Sequence, residues 1–199
     1  MTTQMSDHRI FVGGMFEEIG SWQLKYLQKE IVIKPEHKFL DIGCGSLRLG
    51  RHLIPWLNKG NYIGIEANEE VMNAGIELEM LDAGHIIEYA PSFHCNSVFD
   101  FQGSVDIAWA NSIFSHLTLE DISLCFSKLQ GRACVYYFTF FETAGGNRPS
   151  NPIESHPNQD FYYEYNQIEE VANVTGWTLS RMEIQNHPRH QKIIKAIPK

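Results

Sequence analysis

The sequence predicts an α/β fold: a Rossmann-like, seven-stranded, mostly parallel sheet with an antiparallel last strand and helices on both faces. Short apolar runs typical of buried strands alternate with segments of helical periodicity through most of the 199 residues. This alternation indicates a parallel sheet whose strands are joined by right-handed helical crossovers. The last two apolar runs are separated only by "QNHPR" (185–189). A connection this short can join only strands that are antiparallel neighbours.

These patterns place every element on one predicted domain spanning residues 1–199. Strands are predicted, in chain order, at "KFLDIG" (38–43), "NYIGIE" (61–66), residues 93–96, "VDIAWAN" (105–111), "ACVYYFTFF" (133–141), "WTLSRMEI" (177–184) and "HQKIIKAI" (190–197). Helices are predicted over residues 15–31, 47–57, 68–81, 117–130 and 165–176. Residues 1–33 are expected to form an N-terminal helical cap, and the Gly-, Pro- and Asn-rich residues 143–162 a long substrate-side loop.

Composition indicates a globular protein and argues against several classes of partner. Hydrophobic residues make up 43% of the chain, which is enough for a substantial core. The formal net charge is −8, and no cluster of Lys and Arg forms the basic face that phosphate backbones require, so nucleic acid is not an expected partner. Without a signal peptide or a run of about 18 apolar residues, the chain is predicted to be cytoplasmic, with no membrane partner.

The four cysteines are scattered along the chain, with no CxxC pair among Cys44, Cys95, Cys125 and Cys134. Three of them lie in or beside apolar runs, where a free thiol packs as a small core residue. We therefore expect buried, reduced thiols rather than disulfides or a zinc site.

A glycine-rich turn follows the first predicted strand, in "KFLDIGCGS" (38–46). Gly43 and Gly45 allow positive φ and a close approach of backbone to a ligand. Glu66 ends the second predicted strand, and an acid at that position can accept hydrogen bonds from both hydroxyls of a ribose. Because ligands of open parallel sheets bind beyond the carboxyl ends of the strands, these residues indicate a site for a nucleoside-containing cofactor.

The details of this turn favour one kind of cofactor. The dinucleotide fingerprint G-x-G-x-x-G requires a glycine where Arg48 stands, and no GK[ST] phosphate loop is present. Asp41, just before the glycines, suits a cationic ligand better than a pyrophosphate. S-adenosyl-L-methionine carries a sulfonium, an ammonium group and a ribose, and it therefore fits; a dinucleotide stays open as the alternative.

These motifs resemble those of the class I S-adenosylmethionine-dependent methyltransferases. The segment "FLDIGCGSLRLG" (39–50) is similar to their first motif, "YIGIEAN" (62–68) to their second, and "SVDIAWANSIFSHLTLEDI" (104–122) to the region around their fourth strand. Two further segments resemble a bacterial small-molecule subgroup, "VGGMFEEIGSWQLKYL" (12–27) and "LRLGRHLIPWLNKGNYIGIEAN" (47–68). Many members carry a third glycine where this chain has Leu47, a departure that bears on how the turn meets the methionine end of the cofactor.

The resemblance also implies which residues bind the cofactor: Asp41, Gly43, Gly45, Glu66, Ala67, Asn68, Asn96, Ala110, Asn111 and Ser112. The first three would border the methionine portion, the fourth would hold the ribose, and the next three would lie beside the adenine. The last three would follow the fourth strand, where a backbone carbonyl receives the ammonium group. From the residues alone, Asp41 could instead cap the turn, Glu66 could be a solvated strand end, and Asn96 could be an ordinary turn residue.

Methyl transfer does not require a charged catalytic residue, because the cofactor carries the activated group. An oxygen acceptor does need a base, and His116, after the fourth strand, is the candidate, since an imidazole pKa near 6.5 suits proton removal at neutral pH. Packing against the next helix, or capping it, is the alternative role. Glu142 and His156 could contact substrate, while His187 and His190 are expected to be structural or surface groups.

No metal is expected, because the position after the fourth strand, "WANS" (109–112), lacks the carboxylates of magnesium-dependent members, and His94 with Cys95 is too small a set for zinc. Five aromatic residues are expected to line the acceptor pocket or, alternatively, to pack in the core: Trp109, Phe114, Phe141, Tyr162 and Tyr163.

The sequence thus predicts an S-adenosylmethionine-dependent methyltransferase. Its acceptor is expected to be a small molecule, with methyl transfer to an oxygen of a metabolite or carbohydrate precursor. The alternatives are a non-catalytic cofactor-binding partner subunit and an NAD-binding oxidoreductase. The oligomeric state is left open.

Overall fold

The structure, a computed structural model, describes residues 7–81, 85–143 and 150–199. These residues form two compact units, one ending at Phe101 and the other beginning at Gln102. The predicted single domain therefore stays a prediction. Residues 1–6 of the predicted cap and residues 144–149 of the predicted long loop lie outside the described residues.

Three parallel strands form the centre of the first unit. They are β1 (Phe39–Ile42), β2 (Tyr62–Glu66) and β3 (Ser92–Cys95), with β2 in the middle. All four residues of β1 are buried, as expected of a parallel strand covered on both faces. The parallel register places Ile42 beside Ile65 and Glu66 beside Cys95, so the carboxyl ends of the strands lie at one edge.

Short helices surround these strands: α1 (Asp7–Phe11), α2 (Phe16–Tyr26), α3 (Gly50–Leu53), α4 (Glu69–Gly75) and α5 (His85–Tyr89). Two of them, α2 and α4, continue as π-helical turns over Leu27–Ile31 and Ile76–Leu81. The N-terminal helix and the helix after β2 were both predicted. The helix predicted over residues 47–57 is wrong in length, because left-handed backbone at Leu47 (φ 61°) delays its start and Pro55 follows its end.

The second unit contains a mixed sheet in the order β4-β5-β8-β7. Its elements are β4 (Val105–Ala110), α6 (Leu119–Leu129), β5 (Ala133–Glu142), β6 (Tyr162–Tyr163), α7 (Tyr165–Val174), β7 (Trp177–Arg181) and β8 (Lys192–Pro198). β8 runs antiparallel to both β5 and β7, which confirms the prediction made from the short connection before it. The two-residue strand β6, parallel to the end of β5, was not predicted.

Aromatic side chains fill the core of this second unit. Phe114 packs on Phe138 with ring centroids 4.7 Å apart, and Phe126 contacts Tyr136 at 5.5 Å. Trp177 is fully buried and donates from its indole nitrogen to the Phe126 carbonyl at 3.0 Å.

The five aromatic residues that the sequence predicts for the acceptor pocket or the core differ in their burial. Trp109 and Phe114 are fully buried, and Tyr163 nearly so, which agrees with the alternative of core packing. Phe141 and Tyr162 are only half-buried, and their rings stack at 5.3 Å.

The four cysteines also differ in their burial. Cys44 and Cys125 are buried free thiols, as predicted, whereas Cys95 and Cys134 are exposed. The prediction of buried thiols is therefore wrong for the latter two. Within the described part of the chain, no helix combines the length and apolar character needed to cross a bilayer.

Candidate functional site

The glycine turn after β1 and the end of β2 meet at one edge of the first unit. The N–H groups of Gly43 and Cys44 donate to the Ile65 carbonyl at 2.8 and 2.9 Å. One residue further, the Gly45 N–H donates to the Glu66 carboxylate at 3.0 Å. Both glycines have positive φ, 69° and 55°, a conformation that glycine adopts without strain. The predicted glycine turn and the predicted acid are therefore joined directly.

Glu66 also begins the connection to α4. Its second carboxylate oxygen accepts from the Asn68 N–H at 3.0 Å, and Asn68 in turn caps α4 by accepting from the Glu70 and Val71 N–H groups. Each carboxylate oxygen has two acceptor sites, and one N–H occupies one of them. The Glu66 carboxylate is half-buried, so acceptor capacity for two further donors stays at the strand tip.

Asp41 lies beneath the turn and not on its surface. Its carboxyl group is 4% exposed and accepts a hydrogen bond from the Tyr62 hydroxyl at 2.7 Å. Burial raises the pKa of Asp41 to about 7, although the Tyr62 hydrogen bond and the Arg48 charge act to lower it. This contact with Tyr62 could not be predicted from the sequence, because the two residues are 21 positions apart.

Asn96 follows β3, and its side chain serves its own loop. The amide oxygen accepts from the N–H groups of Val98 and Asp100, and the amide nitrogen donates to the Asp100 carbonyl. Its backbone N–H donates to the Glu66 carbonyl at 3.0 Å, which keeps it at the same edge as the glycine turn. These hydrogen bonds agree with the alternative role of Asn96, that of an ordinary turn residue. The predicted contact of Asn96 with adenine stays a prediction.

The segment that follows α1 covers the glycine turn. A Cβ placed on Gly45 would lie 2.6 Å from Cγ1 of Val12, so only glycine fits beneath this side chain. Arg48 donates to the Val12 carbonyl at 2.9 Å, and the Ser46 hydroxyl donates to the His8 carbonyl at 2.8 Å. The side chains of the turn therefore bind the backbone of the N-terminal segment.

A buried carboxylate, Glu79, holds the start of this segment in place. It is 5% exposed and accepts from His8, Arg9 and Arg51 at 2.7–2.9 Å. Burial acts to raise the pKa of Glu79, but hydrogen bonds from His8 and Arg9 and the two arginine charges outweigh it and hold the pKa below its ordinary value. Glu79 was not among the predicted site residues, because in the sequence it cannot be distinguished from an acidic residue on the solvent-exposed face of a helix.

Leu47 stands where the resemblance leads us to expect a third glycine, and its backbone has a left-handed conformation that glycine adopts without strain. Its φ is 61°, in the left-handed region, and its side chain is fully buried. A leucine there is strained by roughly 1–2 kcal/mol. Burial of the side chain, worth about 2 kcal/mol, offsets this strain, which explains how the turn keeps its shape without a third glycine.

In the second unit, the turn after β4 is held by buried polar side chains. Ser112 also has positive φ, 60°, and its N–H donates to the Thr139 hydroxyl at 2.7 Å. Gln191 accepts from Thr139 at 2.6 Å and from the Ser112 hydroxyl at 3.1 Å. Ser115 closes the network by donating to the Ser112 carbonyl at 2.9 Å. Thr139, Ser115 and Gln191 were missed by sequence reasoning.

His187 extends this network to the predicted residue Asn111. Its Nδ1 accepts from the Arg189 N–H at 3.1 Å, so the ring proton of the neutral imidazole lies on Nε2 and is donated to the Asn111 side-chain oxygen at 2.9 Å. His187 is buried and structural, in agreement with one of the two roles expected for it. Asn111 and Ser112 are buried as well, and the binding roles predicted for Ala110, Asn111 and Ser112 stay predictions.

His116 is half-buried in the connection between β4 and α6. Its Nδ1 lies 3.0 Å from the Gln159 carbonyl, which can only accept, so Nδ1 carries the proton. In the neutral ring the lone pair is therefore on Nε2, and no described residue forms a hydrogen bond with that atom. Thr118, and not His116, caps α6. The arrangement suits a proton acceptor.

Two further candidates for substrate contact have partners of their own. Arg181 binds the Glu142 carboxylate through two hydrogen bonds of 2.8 and 2.5 Å, which hold the pKa of Glu142 below its ordinary value. His156 accepts through Nδ1 from the Asn158 N–H at 3.1 Å. In the ranges that the structure describes, no group of three or more His, Cys, Asp or Glu side chains is arranged to hold a metal ion.

The chain was compared with known families and with solved structures. No family model matches it. It is similar to DesVI of Streptomyces venezuelae, with a TM-score of 0.68 and 12% identity over 100% of this chain and 99% of that one. It is also similar to the magnesium protoporphyrin IX methyltransferase of Synechocystis PCC 6803, with a TM-score of 0.64 and 14% identity over 100% and 88% of the two chains.

A third similar structure is an S-adenosylmethionine-dependent methyltransferase of Clostridium acetobutylicum, with a TM-score of 0.63 and 11% identity over 98% and 96% of the two chains. At these identities the likeness concerns the fold. The chain has the Rossmann-like, mostly parallel α/β fold of these proteins, which confirms the predicted fold class.

Proposed function

We propose that this chain is an S-adenosylmethionine-dependent methyltransferase that acts on a small-molecule acceptor. The observation that carries the proposal is the hydrogen bond from the Gly45 N–H to the Glu66 carboxylate, 3.0 Å long. It joins the close-approach backbone of the glycine turn to the acid that would bind the ribose. Two structures similar in fold, the Synechocystis enzyme and the protein DhpI, contain the demethylated cofactor, S-adenosylhomocysteine, which supports the same choice of ligand.

The residues of the first unit fit the nucleoside part of this cofactor. The Glu66 carboxylate keeps acceptor sites for two ribose hydroxyls beyond the N–H groups that it already binds. Ala67, Asn68 and Asn96 follow the same strand tips, at the position proposed for the adenine. Asp41 lies beneath the turn, and a cation bound near the turn would favour the ionised form of its buried carboxyl group. Binding of the cofactor near neutral pH would therefore release a proton from Asp41.

When bound, the cofactor supplies an activated methyl group, so the chain has to provide alignment and, for an oxygen acceptor, a base. We propose that His116 is this base, with Nε2 as the atom that receives the proton of the acceptor hydroxyl. The contact of Nδ1 with the Gln159 carbonyl supports this role, because it leaves the lone pair on Nε2. Transfer to oxygen and a metabolite or carbohydrate acceptor are parts of the same proposal.

Isothermal titration calorimetry with S-adenosylmethionine and S-adenosylhomocysteine tests the binding part. We expect both to bind the wild-type chain. Glu66→Ala should weaken binding about 100-fold, because two ribose hydroxyls lose their shared acceptor. Glu69→Ala, which removes an exposed carboxylate at the start of α4, should bind like wild type. A wild-type chain that binds neither compound would end the proposal.

Turnover with a panel of hydroxyl-bearing acceptors tests the catalytic part. His116→Ala should lower kcat by about 100-fold or more with little change in cofactor affinity, as removal of a general base does. His190→Ala, at an exposed histidine, is the control. Equal losses of binding and turnover in His116→Ala would exclude it as the base.

Two other outcomes correspond to the remaining functions. Cofactor binding without transfer to any acceptor in the panel would favour a non-catalytic binding subunit. Binding of NAD in place of S-adenosylmethionine would favour an oxidoreductase.

A further inference from the structure

The carbonyl that binds His116 belongs to a tight turn over residues 156–159. The Gln159 N–H donates to the His156 carbonyl at 3.4 Å, which closes the turn through the main chain. The Asn158 N–H donates to Nδ1 of the His156 ring at 3.1 Å, which closes it a second time through the side chain. A side-chain acceptor at one position that binds the N–H two residues later is the arrangement of an Asx turn. Here histidine takes the place of asparagine or aspartate.

This turn is fixed against the connection between β4 and α6. The His156 N–H donates to the His116 carbonyl and the Phe161 N–H donates to the Ser115 carbonyl, both at 2.9 Å. Ser155 accepts from the Thr118 N–H at 2.9 Å and donates to the Asp121 carboxylate. Main-chain bonds on both sides of residues 157–160 therefore set where the turn stands, and the conformation of the turn sets where the Gln159 carbonyl points.

The direction of that carbonyl decides which ring nitrogen of His116 holds the proton. The carbonyl lies 3.0 Å from Nδ1, so a proton on Nδ1 forms a hydrogen bond, while a proton on Nε2 would leave two acceptors facing each other. The turn thereby stabilises the state in which Nε2 carries the lone pair.

We propose that His156 is a positioning residue: its ring closes the turn that presents the Gln159 carbonyl to His116, and so it holds the tautomer in which His116 Nε2 is the proton acceptor. The inference rests on the role that His116 has in the proposed function. It assigns to His156 a task that involves no contact with substrate.

The tautomer of His116 can be measured directly by ¹H–¹⁵N correlation of the imidazole nitrogens in full-length protein labelled with ¹⁵N-histidine. Spectra are recorded at about pH 8, above the ordinary histidine pKa near 6.5, and the His116 signals are identified by their absence from His116→Gln. We expect Nδ1–H in the wild type. We expect His156→Ala to raise the Nε2–H population of His116 at least severalfold.

Two amide variants separate the turn-closing role from a general effect of the substitution. In His156→Asn, the side-chain oxygen stands as many bonds from the backbone as Nδ1 does, so an ordinary Asx turn can form and the wild-type tautomer should return. In His156→Gln, the oxygen is one bond further, and the result should resemble that of His156→Ala. His37→Ala is the matched control, because His37 also accepts through Nδ1 from a backbone N–H, that of Lys34 at 3.1 Å.

The possible results are distinct. A wild-type His116 with its proton on Nε2, an unchanged tautomer in His156→Ala, or a failure of His156→Asn to restore what His156→Ala loses would each overturn the proposal. None of these NMR measurements requires a methyl-accepting substrate. The inference about His156 can therefore be tested independently of methyl transfer. Once a methyl-accepting substrate is known, His156→Ala should lower kcat roughly tenfold, which is part of the rate enhancement that a general base contributes. The affinity for S-adenosylmethionine should not change. His156→Asn should restore the wild-type kcat.

Discussion

The turn after β1 and the turn after β4 both contain left-handed backbone, but different interactions maintain it. After β1, two of the three left-handed residues are glycines, and their N–H groups bind acceptors at the end of β2. After β4 the left-handed residue is Ser112, which is held by Thr139 and Gln191. In the first turn, glycine adopts the positive φ without strain at two of the three positions, whereas the left-handed Ser112 of the second turn depends on a buried polar network.

This difference determines whether each turn can be recognised from the sequence and which substitutions would destabilise it. A glycine turn needs no distant partner to adopt positive φ, so its sequence is a local signal. A non-glycine residue in that region is strained, and it persists where surrounding groups fix it. The first turn should therefore be sensitive to any added Cβ, and the second to the loss of a single hydroxyl.

The largest effect is expected beneath the first turn, at Asp41. The folded chain keeps a proton on this carboxyl up to about pH 7, while the unfolded chain releases it near pH 4, so the stability contributed at this position falls as pH rises between these values. Asp41→Asn cannot ionise and can still accept from Tyr62. It should be about as stable as wild type near pH 4 and roughly 3–4 kcal/mol more stable above pH 7.

Urea unfolding across this pH range measures the difference. Asp160→Asn, at an exposed carboxylate of the second unit, should follow the wild-type curve. Parallel pH profiles for Asp41→Asn and wild type would contradict the raised pKa.

Gly45→Ala should destabilise the chain by about 3 kcal/mol. The new Cβ takes a left-handed conformation, which costs about 1–2 kcal/mol, and it meets Val12 Cγ1 at 2.6 Å, an overpacked contact. Adding Val12→Ala should recover the contact part and leave the conformational part. Full additivity of the two substitutions in a double-mutant cycle would show that Val12 does not pack on the turn.

Thr139→Val tests the network of the second turn and should cost about 2 kcal/mol. Valine keeps the shape of threonine but leaves the buried Ser112 N–H without its acceptor. The free energy of unfolding from urea titration gives the value. Thr178→Val, at an exposed position of β7, is the control and should change stability by less than about 0.5 kcal/mol. A similarly small change for Thr139→Val would mean that the network does not hold the turn.

The smallest effect should distinguish glycine from alanine at Ser112. Both substitutions remove the hydroxyl that donates to Gln191, but only glycine relieves the positive φ of 60°. Ser112→Gly should therefore be about 1 kcal/mol more stable than Ser112→Ala, the reverse of the usual order of these residues in regular structure. Thermal unfolding of the two variants is sufficient, and equal melting temperatures would argue against a left-handed Ser112.

Much of the first unit could be predicted because its signals are local. The apolar runs placed β1 and β2, the glycines marked the turn, and Glu66 was identified as the acid at the strand tip. The helix after β1 was predicted too long, since nothing in the sequence indicates that Leu47 is left-handed. The role of Val12 could not be inferred either, because it depends on a segment more than 30 residues away in the chain.

In the second unit, the helices and all strands except β6 were predicted, but the groups around the candidate residues were not. His116 was identified as a candidate base from its position, yet its tautomer depends on a carbonyl 43 residues later. Ser112 was expected at a binding edge, yet its partners lie 27 and 79 residues away. Hydrogen bonds of this kind leave no periodicity in the sequence.

The sequence by itself determined the alternation of strands and helices, the glycine turn and the acid after β2, because burial patterns and glycine conformations are properties of neighbouring residues. Only the tertiary structure decided the ionisation of Asp41, the cover that Val12 places on Gly45 and the nitrogen on which His116 carries its proton. These properties depend on the dielectric surroundings and on hydrogen-bond partners that folding brings together from distant parts of the chain.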